Sequence, residues 1–131
     1  MSQWGFHLSL DCSSCNIGKI TSAENISNFA KELVRNIDMK AYGEPQVVHF
    51  GEGNKAGYTL IQLIETSNIA GHFCDDSGDV YLDVFSCKKF DPNIVADTVE
   101  TYFNPTSIKM NFLHRNAASN GDCPAGSYDF P

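Results

Sequence analysis

Apolar and polar residues alternate at the start of the chain. Trp4, Phe6, Leu8 and Leu10 are separated by Gly5, His7, Ser9 and Asp11, the period-two pattern of a strand with one buried face. The period then lengthens. Ile26, Phe29, Ala30, Leu33, Val34 and Ile37 recur at the spacing of one helical face, and Thr21 with Glu24 reads as the capping box that opens this helix. "QVVHF" (46–50) predicts a short strand and "GEGNKAG" (51–57) a glycine-rich turn. "YTLIQLIE" (58–65) and "DVYLDVFSC" (79–87) alternate cleanly, which predicts two strands pairing antiparallel across a polar loop, residues 66–78. Asp91 followed by Pro92 is a cap with proline at the first helical position. Ile94, Val95, Val99, Tyr102 and Phe103 mark the buried side of that second helix, and Asn104-Pro105 stops it. "SIKMNFLHR" (107–115) alternates again as a last strand.

This order, β-α-β-β-β-α-β, predicts an α+β fold: a two-layer sandwich of a mostly antiparallel sheet with two helices on one face. Residues 1–116 form the expected domain and 117–131, poor in apolar residues, a mobile C-terminal tail. Strand 58–65 carries bulky apolar groups on both sides, Leu60 and Ile64 on one, Ile61 and Leu63 on the other. Helices cover only one of these. The other face is expected to meet a second copy across a twofold axis, making a homodimer.

Composition narrows the partners. A chain of 131 residues, 42% hydrophobic, suits one domain with a real core. Its formal charge of −7 and scattered Lys and Arg argue against nucleic acid as a partner. No apolar run approaches the ~20 residues of a bilayer span, and "MSQWGFHLSLD" lacks the pattern of an export signal, so no membrane partner and a cytoplasmic location are expected. The five cysteines, Cys12, Cys15, Cys74, Cys87 and Cys123, are odd in number, which favours free thiols. "CSSC" (12–15) lacks the second ligand pair of a zinc site and closes a strand instead of opening a helix. It reads as two small semi-buried residues with no metal assigned, a transient metal or disulfide role being the minority reading.

The candidate chemistry lies in residues 66–87, where Ser67, His72 and Cys87 place a hydroxyl, an imidazole and a thiol in one strand-loop-strand unit. In a loop these three have room to converge. A serine hydroxyl can attack the carbonyl of the residue before it, here Thr66, turning the peptide into an ester and ending in chain cleavage. The plainer readings are a turn serine, a surface histidine and a strand-end cysteine, and residue types alone favour them.

A resemblance shifts that balance. "TSNIAGHFCDD" followed by "LDVFSCK" resembles the signature of the small bacterial and archaeal S-adenosylmethionine decarboxylases, E-S-H-x-[ST]-x-H-T-W-P-E and then D-[VIL]-F-[TS]-C-G. "GFHLSLDCSSCN" is similar to that family's opening, "VVHF" to its H-x-F strand and "FLHR" to its closing strand. The resemblance implies a cut between Thr66 and Ser67, with Ser67 becoming a pyruvoyl cofactor whose ketone bonds the substrate amine and stores the electrons released with CO₂. It further implies His72 as the base of self-processing, assisted by the Thr59 hydroxyl, and Cys87 as the proton donor that completes decarboxylation. Asp76 would hold the ribose hydroxyls of S-adenosylmethionine and Phe50 would stack on its adenine. The pocket would draw on both copies of the dimer, and the product would feed spermidine synthesis. The chain departs from the pattern at Asn68, at Cys74-Asp75-Asp76 where the family has W-P-E, and at Thr66 where it has glutamate. The loop before Thr59 is also about three residues longer. Two rival readings keep parts of this scheme: a pyruvoyl-dependent ornithine or arginine decarboxylase, and a processing-dead homologue that binds nucleoside or protein.

Overall fold

A computed structural model describes residues 3–118. Six strands and two long helices form a two-layer α+β sandwich: β1 (Gly5–Ser13), α1 (Ile17–Ile20), α2 (Ala23–Asn36), β2 (Gln46–Phe50), β3 (Gly57–Ile64), β4 (Ser67–Cys74), β5 (Val80–Ser86), α3 (Pro92–Phe103) and β6 (Ser107–Arg115). The sheet order is β2-β3-β4-β5-β1-β6, with every neighbouring pair antiparallel.

The largest difference from the sequence expectation is β4. Residues 66–78 are not a loop, and strands 58–65 and 79–87 do not pair with each other. Ser67–Cys74 forms a strand inserted between them, joined to β3 by a two-residue turn at Glu65-Thr66 that sets Ile64 opposite Ser67. Ile69 and Phe73 point into the core with no exposure, so this strand is buried on the helix side as firmly as its neighbours.

The helices follow their patterns with smaller corrections. Ser22, not Thr21, caps α2, its side chain accepting from Asn25 N–H, while Thr21 ends the short α1 that the periodicity had not signalled. Ile26, Phe29, Ala30, Leu33, Val34 and Ile37 are all buried. In α3, Asp91 caps as expected, Val95, Val99 and Phe103 are buried, and Ile94 turns outward. Phe29 meets Phe103 edge-on with centroids 4.7 Å apart, and this contact fastens the two helices over the sheet. Cys12 and Cys15 are fully buried instead of half-buried. Most of the expected tail, with Cys123, lies outside the described residues.

One sheet face is covered by helices and the other is open. Register places Val48, Thr59, His72, Tyr81, Asp11 and Lys109 in one cross-strand row on the open face. Val48, Phe50, Ile61, Leu63, Tyr81 and Leu113 are exposed apolar groups on that same face, each at least 37% accessible.

Candidate functional site

The tight turn at Glu65-Thr66 determines the first half of the site. Neither residue is glycine, and the turn closes by placing Ser67 at φ 154°, in a region that residues with a side chain rarely adopt. The Thr66–Ser67 peptide is then gripped from β5. The Thr66 carbonyl accepts from Cys87 N–H at 2.9 Å, and the Thr66 hydroxyl lies 2.7 Å from that of Ser86, which is fully buried. Both hydroxyls also approach the Met39 sulfur, at 3.4 and 3.6 Å. A cavity of about 410 Å³ lined by Asp38, Met39, Lys40, Glu65, Thr66 and Lys88 opens beside this peptide. The Cys87 thiol is exposed, one residue beyond the partner of Ser67 in the ladder.

The second half lies at the other end of the same strands. Thr59 and His72 face each other across β3 and β4, with Thr59 Oγ1 2.9 Å from His72 Nδ1. His72 Nε2–H donates to the Lys55 carbonyl at 3.0 Å. Phe50, the last residue of β2, places its ring 6.4 Å from the imidazole, and Asp76 is exposed in the turn that follows β4. Glycine is required at Gly57: a Cβ there would lie 1.8 Å from the Phe73 carbonyl, so nothing larger allows β3 to run this close to β4.

The structure thus brings Ser67, Thr66 and Cys87 together, and separately Phe50, Thr59, His72 and Asp76. It does not bring Ser67 to His72. On a strand, five residues span about 16–17 Å at ~3.3 Å per residue, far beyond hydrogen-bond reach. Convergence of Ser67, His72 and Cys87 within one chain, which a loop would have allowed, is ruled out by the strand.

Several contacts of this region carry no motif signal. His49 Nε2 bonds Asp75 at 2.6 Å, which ties β2 to the turn beside Asp76, and the second Asp75 carboxylate oxygen is buried without a partner. The Ser86 hydroxyl and the Lys55 carbonyl were equally invisible, the first as one of many serines, the second as a main-chain group. The thiols of Cys12, Cys15 and Cys74 are harder to ionise than a free thiol. Burial pushes Cys12 up to about 12, with Cys15 and Asp11 adding to it, and burial with Asp79 pushes Cys15 to about 11. Cys74 is raised by the same two causes. Among the described residues no cluster of His, Cys, Asp and Glu is arranged to hold a metal ion, and no helix is long and apolar enough to cross a membrane.

Residues 6–116 match the family model described as S-adenosylmethionine decarboxylase. The chain belongs to this family. It is 24% identical over 126 residues to an S-adenosylmethionine decarboxylase proenzyme of Bacillus velezensis, a match covering 96% of this chain and 89% of the relative. In fold it is similar to the crystal structure of the adenosylmethionine decarboxylase from Aquifex aeolicus, with a TM-score of 0.76 at 21% identity, over 95% of this chain and all of the other. The match spans both halves of the site and the whole sheet. The α+β architecture and the assignment to a family of carboxy-lyases therefore agree.

Proposed function

We propose that the chain is a proenzyme that cuts itself between Thr66 and Ser67 and then, as a homodimer, decarboxylates S-adenosylmethionine. One observation carries this reading: the family's signature residues lie in two groups at opposite ends of the sheet, beside an open apolar face. A twofold axis parallel to the sheet and perpendicular to its strands lays one copy's Ser67 end over the other's His72 end. Each site would take Ser67 and Cys87 from one copy and Phe50, Thr59, His72 and Asp76 from its partner.

In the cut, the Ser67 hydroxyl adds to the Thr66 carbonyl carbon and the C–N bond breaks, giving an ester. The oxygen that gains charge is the one already held by Cys87 N–H, so the donor is in place before the charge appears. Strain at Ser67 is relieved as the peptide is consumed. Loss of the Cα proton to a base then eliminates the Thr66 carboxylate, and water replaces the nitrogen, which leaves as ammonia. The Ser67 position fits the resulting pyruvoyl group, which supplies an electron sink for the loss of CO₂ from an amine substrate. Around it the chain's own residues bind and protonate: Asp76 accepts the ribose hydroxyls, Phe50 offers an aromatic face to adenine, and the Cys87 thiol returns a proton to the substrate carbon. Feeding of the product into spermidine synthesis follows from this reading.

Complementation tests both parts. Ser67→Ala and His72→Ala chains, each uncut alone, are co-expressed and weighed intact. Only the His72→Ala chain can be cut, because its Ser67 meets the intact His72 of the other copy, yielding fragments 1–66 and 67–131. If mixed dimers form and both chains stay at full length, the shared site is wrong. If wild-type protein itself never cuts, even with hydroxylamine to trap an ester, the proenzyme reading goes too.

A further inference from the structure

We infer that the main-chain carbonyl of Lys55 is the positioning group that fixes which nitrogen of His72 carries the proton, and so aims this base at the Thr59 hydroxyl. The inference rests on the reading of Thr59 and His72 as the groups that serve the cut, and adds a part of the chain that no signature residue marks: the loop between Phe50 and Gly57.

The loop is built to hold that carbonyl still. Gly53–Lys55 forms one 3₁₀ turn, closed by Lys55 N–H to the Glu52 carbonyl at 3.1 Å and Ala56 N–H to the Gly53 carbonyl at 3.2 Å. Asp75 N–H then donates to the Ala56 carbonyl at 3.0 Å, tying the loop to the turn after β4. Gly51, at φ 98°, closes the other side. A Cβ on it would lie 2.6 Å from the Lys55 carbonyl oxygen and 3.0 Å from its carbon, so the loop folds onto itself in a way only glycine permits. The carbonyl is held between Gly51 and the imidazole.

A carbonyl oxygen has no proton to give. Across the 3.0 Å contact, His72 Nε2 must therefore be the donor. A neutral imidazole has a single N–H, so Nδ1 is left with a lone pair, and the Thr59 hydroxyl, 2.9 Å away, donates to it. The chain Thr59 O–H to Nδ1, Nε2–H to Lys55 O has one direction only. A proton leaving the reacting group passes to Thr59 Oγ1 as Thr59 gives its own to Nδ1, and the imidazolium that forms keeps its Nε2–H on the carbonyl. This is the logic of a base oriented by a third group, with a main-chain oxygen where a carboxylate often stands. Without the carbonyl, the opposite tautomer becomes competitive, and in it Nδ1–H points at Thr59 and has no lone pair to receive a proton.

The protonation state can be read directly. In full-length Ser67→Ala protein, which stays uncut, ¹⁵N spectra of labelled histidine should show His72 as a single tautomer with Nε2 protonated and Nδ1 bare. Gly51→Ala drives a methyl into the Lys55 carbonyl. In the same background it should give mixed tautomers, and in the cleavable chain it should slow the cut by about tenfold or more and displace its pH–rate profile. Gly53→Ala is the control within the same loop: its φ of 58° lies in the left-handed region that a side chain enters at modest cost, and a Cβ there meets nothing within 4 Å, so tautomer and rate should hold. A His72 already mixed, or protonated at Nδ1, in the parent overturns the clamp, and this measurement decides even if Gly51→Ala fails to fold. A clamp seen in the parent and lost in Gly51→Ala, with no change in the cut, overturns instead the reading of His72 as the processing base and the inference that rests on it.

Discussion

In the proposed mechanism Cys87 offers two groups to two different steps, and one pair of substitutions separates them. Its main-chain N–H holds the Thr66 carbonyl at 2.9 Å, while its thiol is exposed. Cys87→Ala removes the thiol and keeps the N–H; Cys87→Pro removes both. Residue 87 lies one position past the end of β5, where proline costs the ladder nothing beyond that single bond. In the ground state the bond contributes about 0.5–1.5 kcal/mol, so the variant should still fold. In the transition state the same oxygen carries developing charge. Loss of one such donor slows reaction about 10²–10³-fold, or about 2.7–4 kcal/mol. The assay is the ratio of the 14.4 kDa chain to its two halves by intact mass, after quenching fresh protein in denaturant over time. Cys87→Ala should cut at close to the wild-type rate and lose about 10²–10⁴-fold in decarboxylation. Cys87→Pro should slow in the cut itself. Equal rates of cutting in the two variants would refute the role of the N–H, and a fully active Cys87→Ala would remove the thiol from the mechanism.

Three further outcomes follow from other parts of the molecule. Ile61→Glu, on the open face, should leave the core intact but give monomers by sedimentation and an uncut chain; an uncut dimer or a cutting monomer contradicts the shared site. Asp76→Ala should weaken calorimetric binding of S-adenosylmethionine about tenfold or more through loss of a charge-assisted contact to the ribose, and unchanged binding rejects that assignment. Between pH 9 and about 12 the unfolded chain releases the Cys12 proton while the folded chain keeps it, so stability should fall with rising pH by up to roughly 1.4 kcal/mol per unit. Urea unfolding at pH 8 and 10.5 should show this decline, and Cys12→Ala should make it shallower.

The two long helices and five of the strands were legible because their periods are clean, and Asp91-Pro92 and Asn104-Pro105 mark the ends of α3. β4 was not, for two physical reasons. Its buried face is Ile69, Gly71 and Phe73, and the glycine breaks the apolar alternation at the middle of the strand. The turn before it, Glu65-Thr66, lacks the glycine or asparagine that normally signals a two-residue hairpin, and the unusual backbone angle falls on Ser67 instead. The candidate residues were read from the resemblance to the family's signature. Their partnership was not, because a spacing of five means one thing in a loop and the opposite on a strand.

The insertion of β4 would also let a chain cut at the proposed Thr66–Ser67 bond keep its shape. The proposed cut would assign β1, β2, β3, α1 and α2 to the upstream piece, and β4, β5, α3 and β6 to the downstream one. Along the sheet order β2-β3-β4-β5-β1-β6, upstream β3 is bonded to downstream β4, and upstream β1 lies between downstream β5 and β6. Three of the five ladders therefore cross from one piece to the other, and the Phe29–Phe103 contact joins their helices. Breaking the Thr66–Ser67 bond severs no ladder. The pieces are interleaved strand by strand, so separating them means unfolding the sheet, and Ser67 stays fixed at the head of a central strand with Cys87 beside it. A scissile turn at a sheet edge would let the new terminus drift. In this position the scaffold that would present the peptide for the proposed cut is the same one that would hold its product in place for turnover.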